Sequence, residues 1–225
     1  MDARIGDQMT MSTKMHIRYS LERGEIVPGG STISGLWPEG KRELAGWMVK
    51  QTKLGFDHNL VARRAAEEGT CTHYLAQCSI MSETPELGTY PPDIVKVAKP
   101  SHKQFLKWLQ NNDVITLGSE LQMVSEKHRF GGTIDVLGIL NGMLTVIDIK
   151  RTMAIYTSHR IQLAGYCHMV AEVLKIPVPA ACIVRLTKAG TGYEALHYDN
   201  LDMEWEAFLL CRKMYDLMPQ LRARG

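Results

Sequence analysis

Three residues on two adjacent strands carry the strongest chemical signal in this chain: Asp135, Asp148 and Lys150. Asn141-Gly142 lies between two apolar runs, residues 130–140 and 143–150. Asn-Gly favours a two-residue type I′ hairpin, in which Leu140 pairs with Met143. Carrying that register back along both strands sets Asp135 opposite Asp148, at a non-hydrogen-bonded position where Cα atoms lie about 4.5 Å apart. Lys150 follows Asp148 by two residues, so strand alternation returns it to the same face. Ile134, Val136, Ile147 and Ile149 fill the other face, while Leu137, Ile139, Leu144 and Val146 share the face of the aspartates. A hairpin apolar on both faces belongs inside a covered sheet. Two buried carboxylates facing one another repel and are poorly solvated, so a compensating charge is required. Mg²⁺ or Mn²⁺ supplies it naturally, since such ions combine one or two carboxylates with water and phosphate oxygens. A lysine beside them can stabilise charge on a phosphate under attack or orient the attacking water. The competing structural reading is a plain Asp148–Lys150 salt bridge with Asp135 capping a turn.

The elements around this hairpin read as a single α/β domain over residues 1–225. Residues 14–35 predict a short β-hairpin, with Met15 to Tyr19 alternating, and then a turn at Pro28-Gly29-Gly30. From Glu39 to Gln77 the pattern is helical; Leu44, Trp47 and Met48 share one face. Residues 82–100 contain Pro85, Pro91, Pro92 and Pro100 and predict a surface loop, followed by a helix from Ser101 to Gln110 with Ser101 as N-cap. Strands dominate from Ile115 to Lys150. A helix over 157–174, a strand pair at 180–186 and 194–199, and a closing helix over 202–221 complete the chain.

Composition excludes several classes. Hydrophobic residues make up 45% of the 225 and charged residues 22%, which fits a packed core and rules out a disordered chain. No apolar run approaches the roughly 18–20 residues of a membrane span. Asp2, Arg4, Asp7, Lys14, Arg18 and Glu22 leave no room for a signal-peptide core, so the expected location is the cytoplasm of a bacterial or phage-infected cell. Five cysteines, at 71, 78, 167, 182 and 211, form no C-x-x-C pair and read as reduced thiols. The net charge of +2 permits a nucleic-acid partner without arguing for one.

Gly132-Thr133-Ile134-Asp135 followed by Val146-Ile147-Asp148-Ile149-Lys150 resembles the PD-(D/E)XK nuclease superfamily, in its RecB-like exonuclease branch of phage and mitochondrial type. Further elements fall in the order of that branch: Gly69-Thr70-Cys71-Thr72-His73 upstream, Glu120 on the preceding strand, and Gln162-Leu163-Ala164-Gly165-Tyr166 downstream. The resemblance also touches Val27 to Ile33 and the helix around Trp47. It implies a mixed central sheet flanked by helices on both faces, a restriction-endonuclease-like core with extra N-terminal helices.

By the same resemblance, Asp135, Asp148, His73 and the Ile149 carbonyl would bind one or two Mg²⁺ or Mn²⁺ ions. Lys150 would be the catalytic lysine, Glu120 would position water or a second ion, and Gln162 would orient Lys150 or a phosphate. Tyr166 would stack on a base or sugar, and Arg129, Arg151 and Arg160 would contact phosphate. Taken one by one, the residues also allow an interfacial His73, a core Tyr166, a solvated Glu120 and isolated surface arginines. Arg151 stands where the branch often has Thr or Ser after the lysine. Cys211 has no cysteine close by in the C-terminal region, so no iron–sulfur cluster is expected.

The implied activity is metal-dependent hydrolysis of DNA, exonucleolytic on single-stranded or duplex ends, in recombination, repair or replication. A recombination or single-strand-binding protein is the implied protein partner, and no membrane is involved. The alternatives are a structure-specific endonuclease on the same fold and a non-catalytic nucleic-acid binding module.

Overall fold

A computed structural model describes residues 18–39, 41–188 and 190–224. Two strands, β1 (Tyr19–Ser20) and β2 (Ile26–Val27), form a small hairpin, and helices α1 (Gly30–Ser34), α2 (Lys41–Lys53) and α3 (His58–Met81) follow. A single 3-10 turn at Leu87–Thr89 leads into α4 (Pro92–Gln110). Strands β3 (Val114–Ser125), β4 (Phe130–Leu140) and β5 (Met143–Lys150) come next, then α5 (Thr157–Leu174), β6 (Ala180–Leu186), β7 (Tyr193–Tyr198) and α6 (Asp202–Arg222). The main sheet has the order β3-β4-β5-β6-β7. Its β5–β6 pair is parallel and the others are antiparallel. The α5 crossover is what a parallel connection requires.

Helices cover both faces, as expected. On one, Leu137, Val146, Ala181 and Ile183 pack against Ile161, Met169 and Val170 of α5, Phe208 of α6 and Ile33 of α1. On the other, Val136, Ile147, Ile149, Cys182 and Val184 pack against Ala76 of α3 and Phe105 and Trp108 of α4. Burial of branched residues on both sides of β5 and β6 explains their nearly unbroken apolar runs. No helix among the described residues is long and apolar enough to cross a membrane.

The β4–β5 hairpin has the predicted turn, with positive φ at both Asn141 (51°) and Gly142 (81°). Its register runs from Leu140↔Met143 back to Val136↔Ile147 as expected. The N-terminal hairpin is present at Tyr19 to Val27, while the predicted alternation over residues 15–17 lies outside the described residues.

One expected boundary is wrong. Residues 92–100 are not loop but the first half of α4, so Ser101 is not an N-cap. Pro92 occupies the first helical turn, where a missing N–H costs nothing. Pro100 sits inside the helix, and its neighbour Ser101 is fully buried. The proline count suggested a loop because position within the helix, not number, decides whether proline breaks it.

Candidate active site

β4 leaves the β5 ladder just where the aspartates meet. Beyond Val136↔Ile147 the backbone pairing stops, and Asp135 Oδ2 accepts the Ile149 N–H at 2.7 Å. In an unbroken antiparallel ladder that N–H would go to the β4 backbone, so a side chain here replaces a rung. The opening also changes parity along β4: Ile134 and Leu137 join one core while Val136 joins the other. The expected placement of Ile134 beside Val136 is therefore corrected. A residue's N–H and C=O point to the same side of a strand, so the Ile149 carbonyl faces this opening too.

On the other side of β4, strand β3 is also irregular. Its register shifts between Thr116 and Gly118, and Glu120 adopts φ +52°. A non-glycine residue in that left-handed region costs of order 1 kcal/mol. The kink faces the Glu120 carboxylate toward His73 of α3, whose Nδ1 lies 3.7 Å from Glu120 Oε1 and 3.2 Å from Asp135 Oδ1. Ser119 Oγ fixes the backbone by donating to the Asp135 carbonyl at 2.8 Å. Ligand atoms of His73, Glu120 and Asp135 all lie within 4.8 Å of one another.

Asp148 and Lys150 adjoin this group on the α5 side. Lys150 Nζ donates to Asp148 Oδ1 at 2.9 Å and to Gln162 Oε1 at 3.1 Å. Gln162 Nε2 in turn donates to the Tyr166 hydroxyl at 2.8 Å. Asp148 is 2% exposed, and its second oxygen, Oδ2, is buried without a hydrogen-bond partner among the described residues. A buried carboxylate oxygen left without a donor is costly unless a cation takes it.

Charge distribution follows from these contacts. Burial pushes the Asp148 carboxyl up to about 6, against the opposing pull of Lys150. Burial alone would lower His73, but Asp135 and then Glu120 outweigh it and raise the imidazole to about 10. Asp135 is held below the usual carboxylate range, because His73, Lys150 and the Ile149 N–H outweigh its burial. Lys150 is raised by Asp148 and Asp135 despite its own burial. The set of two or three carboxylates, one imidazole and one carbonyl, with an unmatched buried oxygen, suits a divalent cation of the Mg²⁺ or Mn²⁺ kind.

Seven of the sequence-predicted residues thus come together: His73, Glu120, Asp135, Asp148, Ile149, Lys150 and Gln162. Tyr166 and Arg151 do not act as expected from sequence, while Arg129 and Arg160 are partly exposed and in ion pairs. Tyr166 is 5% exposed and wedged against two glycines; a Cβ at Gly30 or Gly132 would lie 2.8 or 2.4 Å from its Cε1. Such a ring cannot stack on a base, and its hydroxyl instead anchors Gln162. Arg151 points to the opposite face from Lys150 and is 8% exposed. Its guanidinium pairs with Glu68 at 2.6 Å and donates to Ser101 Oγ at 3.0 Å, clamping β5 to α3 and α4. It is not a phosphate contact. Arg129 pairs with Glu25 at the far end of β4, about 20 Å of extended chain from Asp135. Arg160 Nε lies 3.5 Å from Glu204 of α6 and is partly exposed.

Sequence reasoning missed Glu68 and Ser101, which hold Arg151, and the Thr133–Tyr19 hydroxyl contact at 2.9 Å that ties β1 to β4. Glu68 lies five residues before His73 on α3, and no local pattern marks it.

No family model matches the sequence, and no significantly similar curated protein was found. Among solved structures, an alkaline exonuclease (LHK-Exo) from Laribacter hongkongensis is similar at 10% identity and TM-score 0.35, covering 72% of this chain and 91% of that one. The same exonuclease in complex with dAMP matches at 11% identity and TM-score 0.34, over 72% and 91% of the two chains. A protein solved as SSO0001 matches at 15% identity and TM-score 0.33, over 64% and 74%. Likeness of this degree carries no argument about chemistry, which rests on the side chains above.

Proposed function

We propose that this chain is a divalent-metal-dependent deoxyribonuclease of the PD-(D/E)XK kind, hydrolysing phosphodiester bonds as an exonuclease on DNA ends or single strands. The observation that carries the reading is the unmatched, buried Asp148 Oδ2 beside a carboxylate–imidazole cluster and a lysine positioned by Gln162. A module that only bound nucleic acid would have no use for so unfavourable a group of charges.

His73, Glu120, Asp135, Asp148 and the Ile149 carbonyl would hold one or two ions, with Mn²⁺ favoured by the imidazole. When bound, such an ion supplies a water of lowered pKa and polarises the phosphate. Lys150 stabilises negative charge that develops on the phosphate oxygens. Gln162, itself fixed by Tyr166, holds the ammonium in that position. Arg160, half-exposed at the start of α5, is the arginine best placed to meet a phosphate.

The test uses end-labelled single-stranded and duplex DNA with Mg²⁺ or Mn²⁺, wild type against Asp148→Ala. Cleavage should need the metal and the aspartate. Cleavage that survives both EDTA and the substitution sinks the proposal. Covalently closed circles left intact while linear DNA is degraded would establish attack from ends; nicked circles would make the enzyme an endonuclease.

A further inference from the structure

A second surface shares no lining residue with this site. The outer face of α4 and the turn carrying Gly190, Thr191 and Gly192 enclose a cleft of about 1840 Å³. Among the described residues, its charged lining consists of Lys96, Lys99, Lys103 and Lys107, with no carboxylate. These four recur every three or four residues, so they form one stripe along the helix. The stripe is about 16 Å long from first to last lysine. All four are exposed, and among the described residues none has a salt-bridge partner. In a chain whose net charge is only +2, four unmatched cations along one groove are a concentrated positive field.

Two further features narrow the occupant. Tyr90 and Tyr193 line the same cleft, and the glycine-containing turn lies close on α4, where a Cβ at Gly190 would meet Pro100 at 2.8 Å. Gln104 locks that turn by bonding both the Thr187 carbonyl (3.1 Å) and the Thr187 N–H (2.9 Å). Close packing at Gly190 and the Gln104–Thr187 bonds thus tie this side of the cleft to α4. Tyr90 also packs on Tyr74 at 5.8 Å between ring centroids, and Tyr74 directly follows His73. One end of the cleft thus adjoins the helix that supplies the imidazole.

We propose that this cleft is a binding track for single-stranded nucleic acid, with the lysine stripe following the phosphodiester backbone and the tyrosines offering faces to bases. A cationic groove with aromatic side chains is the physical form that sequence-tolerant single-strand binding takes. A rigid duplex would meet the lysines but could not splay bases onto the rings. The proposal rests on the phosphodiester reading for its ligand class, and makes the track a place where a strand is held outside the hydrolytic centre.

The experiment measures binding in EDTA, so that cleavage plays no part. The probe is a fluorescein-labelled oligothymidylate of about 12 nucleotides, a length within the range of single-strand sites. Affinity is followed by anisotropy from low to moderate salt for wild type, for the fourfold Lys→Gln variant at 96, 99, 103 and 107, and for the fourfold Lys→Arg variant. Melting temperatures of both variants serve as the check on folding. Four phosphate contacts on a single strand predict that Lys→Gln flattens the log–log salt slope by about 3, while Lys→Arg keeps it. At low salt, Lys→Gln should weaken binding about tenfold or more. Unchanged affinity and slope in the folded Lys→Gln variant overturns the track. So does tighter lysine-dependent binding of a duplex of the same length, or displacement of the oligonucleotide by polyglutamate at lower concentration than by unlabelled oligothymidylate. If wild type binds the oligonucleotide through these lysines yet never cuts DNA with metal present, the track stands and the nuclease reading falls.

Discussion

Asp135 and Asp148 are neighbours on adjoining strands, yet the protein treats them in opposite ways. Asp135 is surrounded by donors: the Ile149 N–H, His73 and, at longer range, Lys150. Asp148 shares one oxygen with Lys150 and leaves the other buried and unmatched among the described residues. The first half of the site is balanced by a proton on His73, and the second is short of positive charge. Ion binding would therefore do two different things: displace a proton on one side and fill a deficit on the other.

The largest effect should come from breaking the second half. Asp148→Ala or Lys150→Ala should lower metal-dependent cleavage by about 10³-fold, in line with loss of a group that stabilises transition-state charge. Single-turnover assays at saturating DNA separate this from weaker binding. The control is the adjacent residue. Arg151→Met should instead lower stability by about 3 kcal/mol in urea denaturation, because it leaves Glu68 without its buried partner. If Arg151→Met abolished cleavage without loss of stability, the opposed roles of these two chain neighbours would be wrong.

The Asp148 deficit also makes a stability prediction for the metal-free protein. Its folded value of about 6 lies above the ordinary 3.8, so the folded state keeps a proton that the unfolded chain releases earlier. The stabilisation this gives is complete below about 3.8 and is lost as pH rises through about 6. Asp148→Asn should therefore be more stable than wild type by about 2 kcal/mol at neutral pH, with the gain vanishing near pH 4. Denaturation curves at the two pH values check this, and a gain equal at both would remove the charge argument.

On the other half, the proton on His73 must leave before its nitrogen can ligate. With His73 raised to about 10, Mn²⁺ affinity should rise with pH between about 7 and 9, by up to tenfold per unit, with proton release on binding. Calorimetry in buffers of different ionisation enthalpy reads that proton directly. His73→Gln should flatten the dependence, and a flat profile in wild type would mean that His73 is not a ligand. The smallest effect belongs to Gln162→Glu or Gln162→Ala, which should reduce cleavage by about tenfold through a less well-placed Lys150.

What could be read in the sequence was mostly local. Asn141-Gly142 specified the turn and the pairing as far as Val136↔Ile147, which brings Asp135 and Asp148 to adjoining strands, but the ladder opens before the two aspartates pair. The two-faced sheet was equally legible in the apolar runs of β5 and β6. Features set by distant packing were not. Arg151 looked like a surface cation because Glu68 and Ser101 come from helices 83 and 50 residues away. Tyr166 looked available to a base because the two glycines that enclose its ring lie on α1 and β4. The start of α4 was hidden by prolines that the first helical turn tolerates. Glu120 was identifiable by type and order, but its left-handed backbone, which faces it toward His73, had no local signature.

The missing rung at Ile149 turns one backbone amide into a reporter. Its neighbours in β5 exchange with solvent only when strands part, whereas the Ile149 N–H is held by a side chain whose charge depends on His73 and on any bound cation. Hydrogen exchange at this single position should therefore track the electrostatic state of the cluster while the rest of the sheet stays silent.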